Sequence, residues 1–453
     1  MEEGKNFTKV TAITFLTYFI LSQMYYTQIY RFVEYYSGSI VFAISDGWAY
    51  LMQALGMIVM IILFVKKPET YGSKKFASIT MVATLPLLVL SVLAQNGIML
   101  LILMLILNFI IGFDLTFYYG LMTQYLKQKA RLMSIAISGA LGALAMWALA
   151  QASPEILTSK YIILIDAVLV AIDVYLFMSF ENISERCNMD APASTDSLLT
   201  VVKKNKILVA VVFLMSALSV LGSSDNAALT TDIGLSLLDV RALYGVGLIA
   251  CALIYGKSKN AGALATMASL ILPFIALGMM HMDYVSVIVS LITFIALGFY
   301  SVYKAGVFMD VAEELNLAPV FAVIGLVASR LSDAVTVTAF TLLYPAYYPV
   351  SFIVSGVIAI PLIILFYMLL TKSTPAIVED AYAKRSRFGE TYSLTRREEE
   401  IASFIAEGKS NGEIAALTNL SESTVRFHVS NILRKTGLNS RTDVSRAFHR
   451  SQK

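Results

Sequence analysis

Apolar residues run in long unbroken stretches through most of the chain, and then the pattern changes. From the N-terminus to about Leu370, stretches of some twenty apolar residues alternate with short polar connections. About twenty residues cross the hydrocarbon of a bilayer as a helix. That criterion predicts about twelve membrane helices, near 10–30, 42–65, 76–95, 98–122, 132–151, 160–180, 206–224, 240–256, 260–281, 284–303, 319–343 and 349–371. The seventh is interrupted by Gly222, Ser223, Ser224, Asp225 and Asp232, and the eighth is shortened by Gly245 and Gly247. From about Thr371 the long runs stop. Short apolar groups then recur at helical spacing among charged residues, as in a small water-exposed helical unit. The predicted fold class is all-α: about 12 transmembrane helices followed by a small cytoplasmic four-helix domain. The predicted boundaries are 1–371 for the membrane unit, 372–392 for a linker and 393–453 for the C-terminal domain.

Composition agrees with two solvents. Of the 453 residues, 58% are hydrophobic and 14% charged, against about 45–50% and about 25% in soluble domains. The charge deficit is confined to the first part, so the two parts face different media. Basic clusters stand at Lys66, Lys67, Lys74 and Lys75, at Lys127, Lys129 and Arg131, at Lys203, Lys204 and Lys206, and at Lys257 and Lys259. All fall on one side if the N-terminus is cytoplasmic, while the opposite connections hold Arg31, Lys160 and Arg241. The positive-inside rule therefore predicts a cytoplasmic N-terminus. An even number of spans returns the C-terminus to the cytoplasm. The polar stretch 181–206 reads as a central cytoplasmic loop dividing the spans six and six. Pro86 in the third span and Pro273 in the ninth hint at two related halves. The run Val10 to Ile29 is too long for a signal-peptide core and reads as a retained first span. Cys187 and Cys251 imply no disulfide framework.

The loop after the second span reads Glu69-Thr70-Tyr71-Gly72-Ser73-Lys74-Lys75. With the six-plus-six layout, it resembles the major facilitator superfamily, whose loop motif is acidic-basic-x-Gly-basic-basic. Gly72 and Lys74 fit that motif, whereas Thr70 and Ser73 stand where basic residues are expected. The resemblance implies a helical bundle around a central cavity.

The tail carries its own signals. Thr395 with Glu398 and Ser410 with Glu413 form Ser/Thr-x-x-Glu capping boxes, and Ser440 with Asp443 nearly repeats them. Ser421 is placed to cap a third helix, and Gly408 and Gly437 to end helices in left-handed geometry. A short helix, a turn and a longer basic helix make the layout of a helix-turn-helix. Residues 393–450 hold Leu394-Thr395-Arg396, Gly408-Lys409-Ser410-Asn411, Glu413-Ile414-Ala415, Ser421-Glu422-Ser423-Thr424-Val425-Arg426-Phe427-His428 and Lys435-Thr436-Gly437. This segment resembles the LuxR/NarL-type helix-turn-helix transcriptional regulators. Thr436 replaces a usual leucine, and Ser430 stands where some relatives have a lysine. The resemblance implies that the helix at about Glu422 to Thr436 enters the major groove. Arg426, Phe427 and Ser430 then meet base edges, and Thr424, Asn431, Arg434 and Lys435 meet phosphates. His428 takes a structural or phosphate role. Val444, Ala447 and Phe448 form either a dimer seam, as in relatives, or internal packing.

Ionisable residues inside the membrane are costly, so each is a functional candidate. Asp46, Asp114, Asp225, Arg330 and Asp333 form that set. Arg330 and Asp333 share a helix face. Asp114, Arg330 and Asp333 are the candidates for holding a polar small molecule, with an Arg330–Asp333 structural pair as the plainer alternative. Asp166 and Asp173 share a face of the sixth span with no evident reason. Tyr25, Tyr26, Tyr30, Tyr35 and Tyr36 read as an interfacial aromatic belt. No nucleophile–base set, metal-ligand spacing or phosphate loop is present, so no enzyme, metal or cofactor is expected. The expected function is a one-component transcription regulator that senses a small-molecule effector through its bundle and binds double-stranded promoter DNA as a homodimer. The alternative is a transporter with an attached regulatory DNA-binding domain.

Overall fold

The computed structural model describes residues 2–36, 39–67, 73–152, 161–180, 198–232, 237–277, 285–314, 319–343, 354–370, 388, 391–392, 394, 396–418, 422–438 and 440–451. The loop residues Glu69 to Gly72, most of the expected central loop and linker, Cys187, Thr395 and Ser421 lie outside them. So do the side chains of Asp225, Asp232, Arg241 and Pro273. The chain divides into two compact units, Met1–Phe366 and Tyr367–Lys453.

A helix stands at each of the twelve expected positions. They are α1 (Glu2–Val33), α2 (Ala49–Lys66), α3 (Lys74–Leu93), α4 (Gly97–Tyr125), α5 (Gln128–Ala152) and α6 (Ile162–Met178), then α7 (Lys206–Asp232), α8 (Leu237–Lys257), α9 (Lys259–Leu277), α10 (Val285–Glu314), α11 (Ile324–Leu343) and α12 (Val354–Leu370). Among the described residues, six stretches are long and apolar enough to cross a membrane: Ala43–Lys66, Lys74–Leu93, Gly97–Tyr125, Gln128–Leu149, Leu291–Glu313 and Val320–Ala339. Leu198–Lys204 and Lys206–Leu221 qualify only together, bent by 86°. A π-turn, Ala43–Trp48, leads into α2, and a 3-10 turn, Pro319–Val323, leads into α11.

The polarity of the bundle is inverted relative to a soluble protein. On α3, Thr80 and Thr84 are buried while Ile79, Val82 and Leu90 are exposed. On α6, Asp166 and Asp173 are buried while Leu164, Val168 and Ile172 face outward. In water this would forfeit the hydrophobic effect. In lipid it is the required arrangement, because polar groups find partners only inside the protein. The hydroxyls comply: Thr14, Thr17, Thr84 and Ser91 donate to carbonyls three or four residues back.

Helix pairs approach most closely where glycines face each other. Gly56 of α2 meets α4 beside Gly112, and a Cβ on either would strike backbone of the other helix. Gly247 of α8 meets α10 beside Gly298 in the same way. Small residues let membrane helices come together without a hydrophobic drive. The second and fourth helices of one half thus repeat the eighth and tenth of the other, a firmer sign of related halves than the two prolines. The halves are also joined by charge. Arg131 of α5, counted above among the loop charges, is 1% exposed. It pairs with Asp310 at 3.1 Å and with Glu313, both on α10. Asp310 also accepts from Gln128 at 2.8 Å and Tyr255 at 3.1 Å, and pairs with Lys259 at 3.1 Å.

The second unit folds around its own core. Helices α13 (Arg396–Ala406), α14 (Asn411–Thr418), α15 (Glu422–Thr436) and α16 (Arg441–Ser451) enclose Ile401, Ile405, Ile414, Val425, Ile432, Val444 and Phe448. Gly408 and Gly437 adopt positive φ, 79° and 69°, and end α13 and α15. The second capping box forms in full: the Ser410 amide donates to Glu413 at 2.7 Å, and the Glu413 amide donates to Ser410 Oγ at 3.3 Å. The Ser410 amide holds the exposed Glu413 carboxyl below its ordinary value. Of the two alternatives for the last helix, seam or internal packing, the structure shows internal packing. Val444 and Phe448 are buried in this core, so their side chains are not free for a dimer seam. Phe388, assigned to the linker, is 1% exposed and packs edge-to-face against Phe448 with ring centroids 5.4 Å apart. The folded unit begins at or before Phe388.

Gly247→Ala is expected to cost about 1–3 kcal/mol through overpacking, read as a lower melting temperature of the purified protein in detergent. Gly356→Ala, with nothing within 4 Å of the new methyl, is expected to leave it unchanged. In the C-terminal unit, Lys435→Ala removes the 2.6 Å ion pair to the buried Glu398 carboxylate. It is expected to destabilise that unit by about 1–3 kcal/mol in urea unfolding, while Arg434→Ala stays within about 0.5 kcal/mol.

Candidate functional site

Two places gather the residues singled out in the sequence. The first is the outer face of α15. Val425 and Ile432 point into the core, and Thr436 follows at 9% exposure with its hydroxyl donating to Ile432 O at 2.8 Å. That spacing throws Arg426, Phe427, Ser430 and Arg434 outward, and all four are exposed. Phe427 is 63% exposed, which leaves a large aromatic ring with no place in the core. Arg426 pairs with Glu422 at 3.0 Å, one turn back. Both groups are well solvated, so the pair is weak and yields readily to a stronger acceptor. Arg434 donates to Asn431 at 3.4 Å. Thr424 and Asn431 are half-buried at the edges of this face. His428 is half-buried, its ring packed on Phe427 with centroids 5.9 Å apart.

Lys435, also expected to meet a phosphate, has a partner within the domain. It pairs at 2.6 Å with Glu398 of α13, whose side chain is 5% exposed. Glu398, expected to close a capping box with Thr395, which lies outside the described residues, ties the end of α15 to the domain. The face thus presents two outward arginines, an aromatic ring and a small hydroxyl on a fixed helix. Such a surface matches phosphate and base edges in a major groove.

The second place lies inside the bundle. Arg330 and Asp333 of α11 pair at 3.7 Å. The Arg330 guanidinium stacks over the Tyr50 ring of α2 at 3.8 Å. Asp333 accepts from Ser216 of α7. Lys304 of α10 donates to Ser329 at 3.3 Å and lies over the Tyr300 ring at 4.8 Å. The π-turn turns Asp46 toward Tyr25 of α1, which donates to it at 3.0 Å. It also presses Gly47 against Thr338 of α11. Side chains of both halves therefore converge on one charged patch. The sequence reading missed Lys304, which it passed over within an apolar span.

Asp114 does not join this patch by any hydrogen bond or ion pair among the described residues. It is buried on α4 and accepts from Thr80 of α3 at 2.7 Å. Asp173 has a partner after all: Tyr118 donates to it at 2.5 Å and Thr17 at 3.3 Å. Asp166 is fully buried, and neither of its oxygens has a hydrogen-bond partner.

With this geometry in place, comparison with known proteins is informative. Residues 392–448 match the family model described as bacterial regulatory proteins, luxR family. The same region is similar to the uncharacterized transcriptional regulatory protein YhcZ of Bacillus subtilis, 52% identical over 54 residues, 12% of this chain and 25% of that protein. It is also similar to the nitrate/nitrite response regulator protein NarP of Escherichia coli, 42% identical over 55 residues, 12% of this chain and 26% of that protein. The chain spans about a quarter of the length of these relatives. The helical bundle is similar to the solved structure of the fucose:proton symporter FucP of E. coli, with TM-score 0.59 and 12% identity over 81% of this chain and 99% of that one. The human organic anion transporter MFSD10 gives TM-score 0.59 and 11% identity over 81% of this chain and 100% of that one. At such identities the likeness is one of fold. The chain thus joins a C-terminal luxR-family helix-turn-helix to a helical bundle folded like the transporters of the major facilitator superfamily.

Proposed function

We propose that the protein is a membrane-embedded one-component transcription regulator. Its bundle crosses the inner membrane twelve times, with both termini in the cytoplasm, and its C-terminal helix-turn-helix binds promoter DNA. The observation that carries this reading is the exposed face of α15, with Arg426, Phe427, Ser430 and Arg434 turned outward on a luxR-family domain. The basic clusters, all on one side under this topology, support the orientation.

The effector is a polar or ionised small molecule, and Arg330 and Asp333 are its anchors, with Lys304 and Tyr50 beside them. An Arg330–Asp333 pair at 3.7 Å is loose for a charge-assisted contact. A ligand carboxylate or ammonium group can replace either partner. Asp114, grouped with these two by sequence, has its partners on α3 and is left out of the effector site. Binding changes DNA affinity only by as much as the effector prefers one state of the bundle. The DNA-bound form is a homodimer on half-sites about one helical turn apart. The reading assigns the chain no catalysis.

A second reading, a transporter with an attached DNA-binding domain, draws on the fold shared with FucP over 81% of this chain. Substrate accumulation in vesicles that is lost in Asp333→Asn would favour it.

The test uses full-length protein in lipid nanodiscs and DNA from upstream of its own gene. Arg426→Ala is expected to weaken binding by about 1–3 kcal/mol, roughly tenfold to over a hundredfold. Wild-type affinity is expected to fall steeply with salt. Unchanged binding in the variant, or binding indifferent to salt, overturns the reading.

A further inference from the structure

A small hollow lies inside the N-terminal half of the bundle, away from the Arg330 patch. Its volume is about 20 Å³. A hollow needs roughly 10–15 Å³ to take one water-sized body, so this one has room for a single occupant. Thr17 of α1, Thr84 of α3, Asp114 and Tyr118 of α4 and Asp173 of α6 line it.

Both carboxylates are withdrawn from solvent: Asp114 is 5% and Asp173 3% exposed. Neither forms an ion pair among the described residues. Two buried arginines of the bundle are committed elsewhere, Arg131 to Asp310 and Arg330 to Asp333, and Lys304 lies against Ser329 and Tyr300. The oxygen of Asp173 that Tyr118 and Thr17 do not reach is buried and has no hydrogen-bond partner.

Proton accounting sharpens the problem. A hydroxyl has one proton to give. Thr17 has two acceptors in reach, Ile13 O at 2.9 Å and Asp173 at 3.3 Å. Thr80 has Ala77 O at 2.8 Å and Asp114 at 2.7 Å. Thr84 is spent on Met81 O at 2.6 Å, which leaves its lone pairs available. Acceptors outnumber protons, and two carboxylates stand without a counter-charge in a membrane interior. Removing charges from water without compensation is among the largest costs a fold can meet.

A monovalent cation in the hollow offsets one of the two negative charges, occupies the space and engages the orphaned Asp173 oxygen. A shared proton would offset the same single charge and leave the space unfilled. Carboxylate and hydroxyl oxygens are hard donors and select a hard ion. Magnesium keeps several waters, for which there is no room. The Born cost of burial grows with the square of the charge, and the remaining walls, Ile20, Leu21, Met24 and Val170 among them, offer only apolar side chains. A monovalent ion therefore loses less hydration on entry than a divalent one of equal radius.

We propose that this hollow binds one sodium ion. The carboxylates of Asp114 and Asp173 hold it, with hydroxyl oxygens of Thr17 and Thr84 completing the donor set. Occupancy ties α1, α3, α4 and α6 together at one point. The proposal is independent of the DNA-binding reading.

Full-length protein purified in detergent in choline buffer, at mildly alkaline pH, is titrated with radioactive sodium. The expected result is saturable one-to-one binding, competed by unlabelled sodium and not by choline, with a rise in melting temperature as sodium is added. Asp114→Asn and Asp173→Asn are each expected to weaken affinity by about tenfold or more. Thr84→Val, nearly isosteric, is expected to weaken it several-fold and serves if either asparagine variant fails to fold. The proposal is overturned by absence of saturable sodium binding in the wild type. It is also overturned by unaltered affinity in the folded variants, by thermal shifts that follow pH and ignore sodium, or by calcium binding in preference to sodium.

Discussion

A charged or hydrogen-bonding group inside hydrocarbon has no solvent to fall back on, and the membrane unit is organised around that constraint. Its interior is where Asp114, Asp173, Arg131, Asp310 and Asp333 lie, and its outside is where isoleucine, valine and leucine lie. Several of the interior charges have partners on other helices or other turns. Arg131 collects two carboxylates from the other half, Asp333 draws on Arg330 and Ser216, and Asp46 takes a tyrosine hydroxyl. The Arg131 pairs and the Ser216–Asp333 bond join helices that are far apart in sequence. They specify which helix faces which neighbour, a task that apolar contacts against equally apolar lipid cannot perform.

The glycine crossings serve the same end by other means. With no side chain between them, α2 and α4, and again α8 and α10, bring their backbones into contact. Dispersion between backbones then replaces the missing hydrophobic drive. Both halves use the device at equivalent helices, so the relation between them is visible in packing.

The positions of the helices were legible in the sequence because lipid sets their length, and any run of suitable residues announces itself. The C-terminal domain was legible for a different reason: its caps and glycines are local signals, readable within a few residues, as Ser410 with Glu413 and Gly408 illustrate. Pairings between distant positions were not legible. Lys435 looks like any surface lysine until Glu398, 37 residues earlier, is found beneath it. Arg131 reads as a loop charge until Asp310 is placed over it. Phe388 reads as linker because nothing in its neighbourhood shows that Phe448 awaits it. Val444 and Phe448 have the helical spacing that suits a seam between subunits and a domain core equally well. Only the surrounding helices decide between them.

The apolar outer face has a consequence for how a regulator of this kind would find its target. Ile79, Val82, Leu164, Val168 and Ile360 have no refuge in water, so the chain cannot leave the bilayer to patrol the chromosome by sliding and hopping. Under the proposed function the search runs the other way round. The protein waits at a fixed surface while loci diffuse past it, and its local concentration is counted per area of membrane and not per volume of cell. Occupancy of an operator would then depend on where the gene sits and how freely that stretch of chromosome visits the cell boundary, as well as on the base pairs that α15 reads.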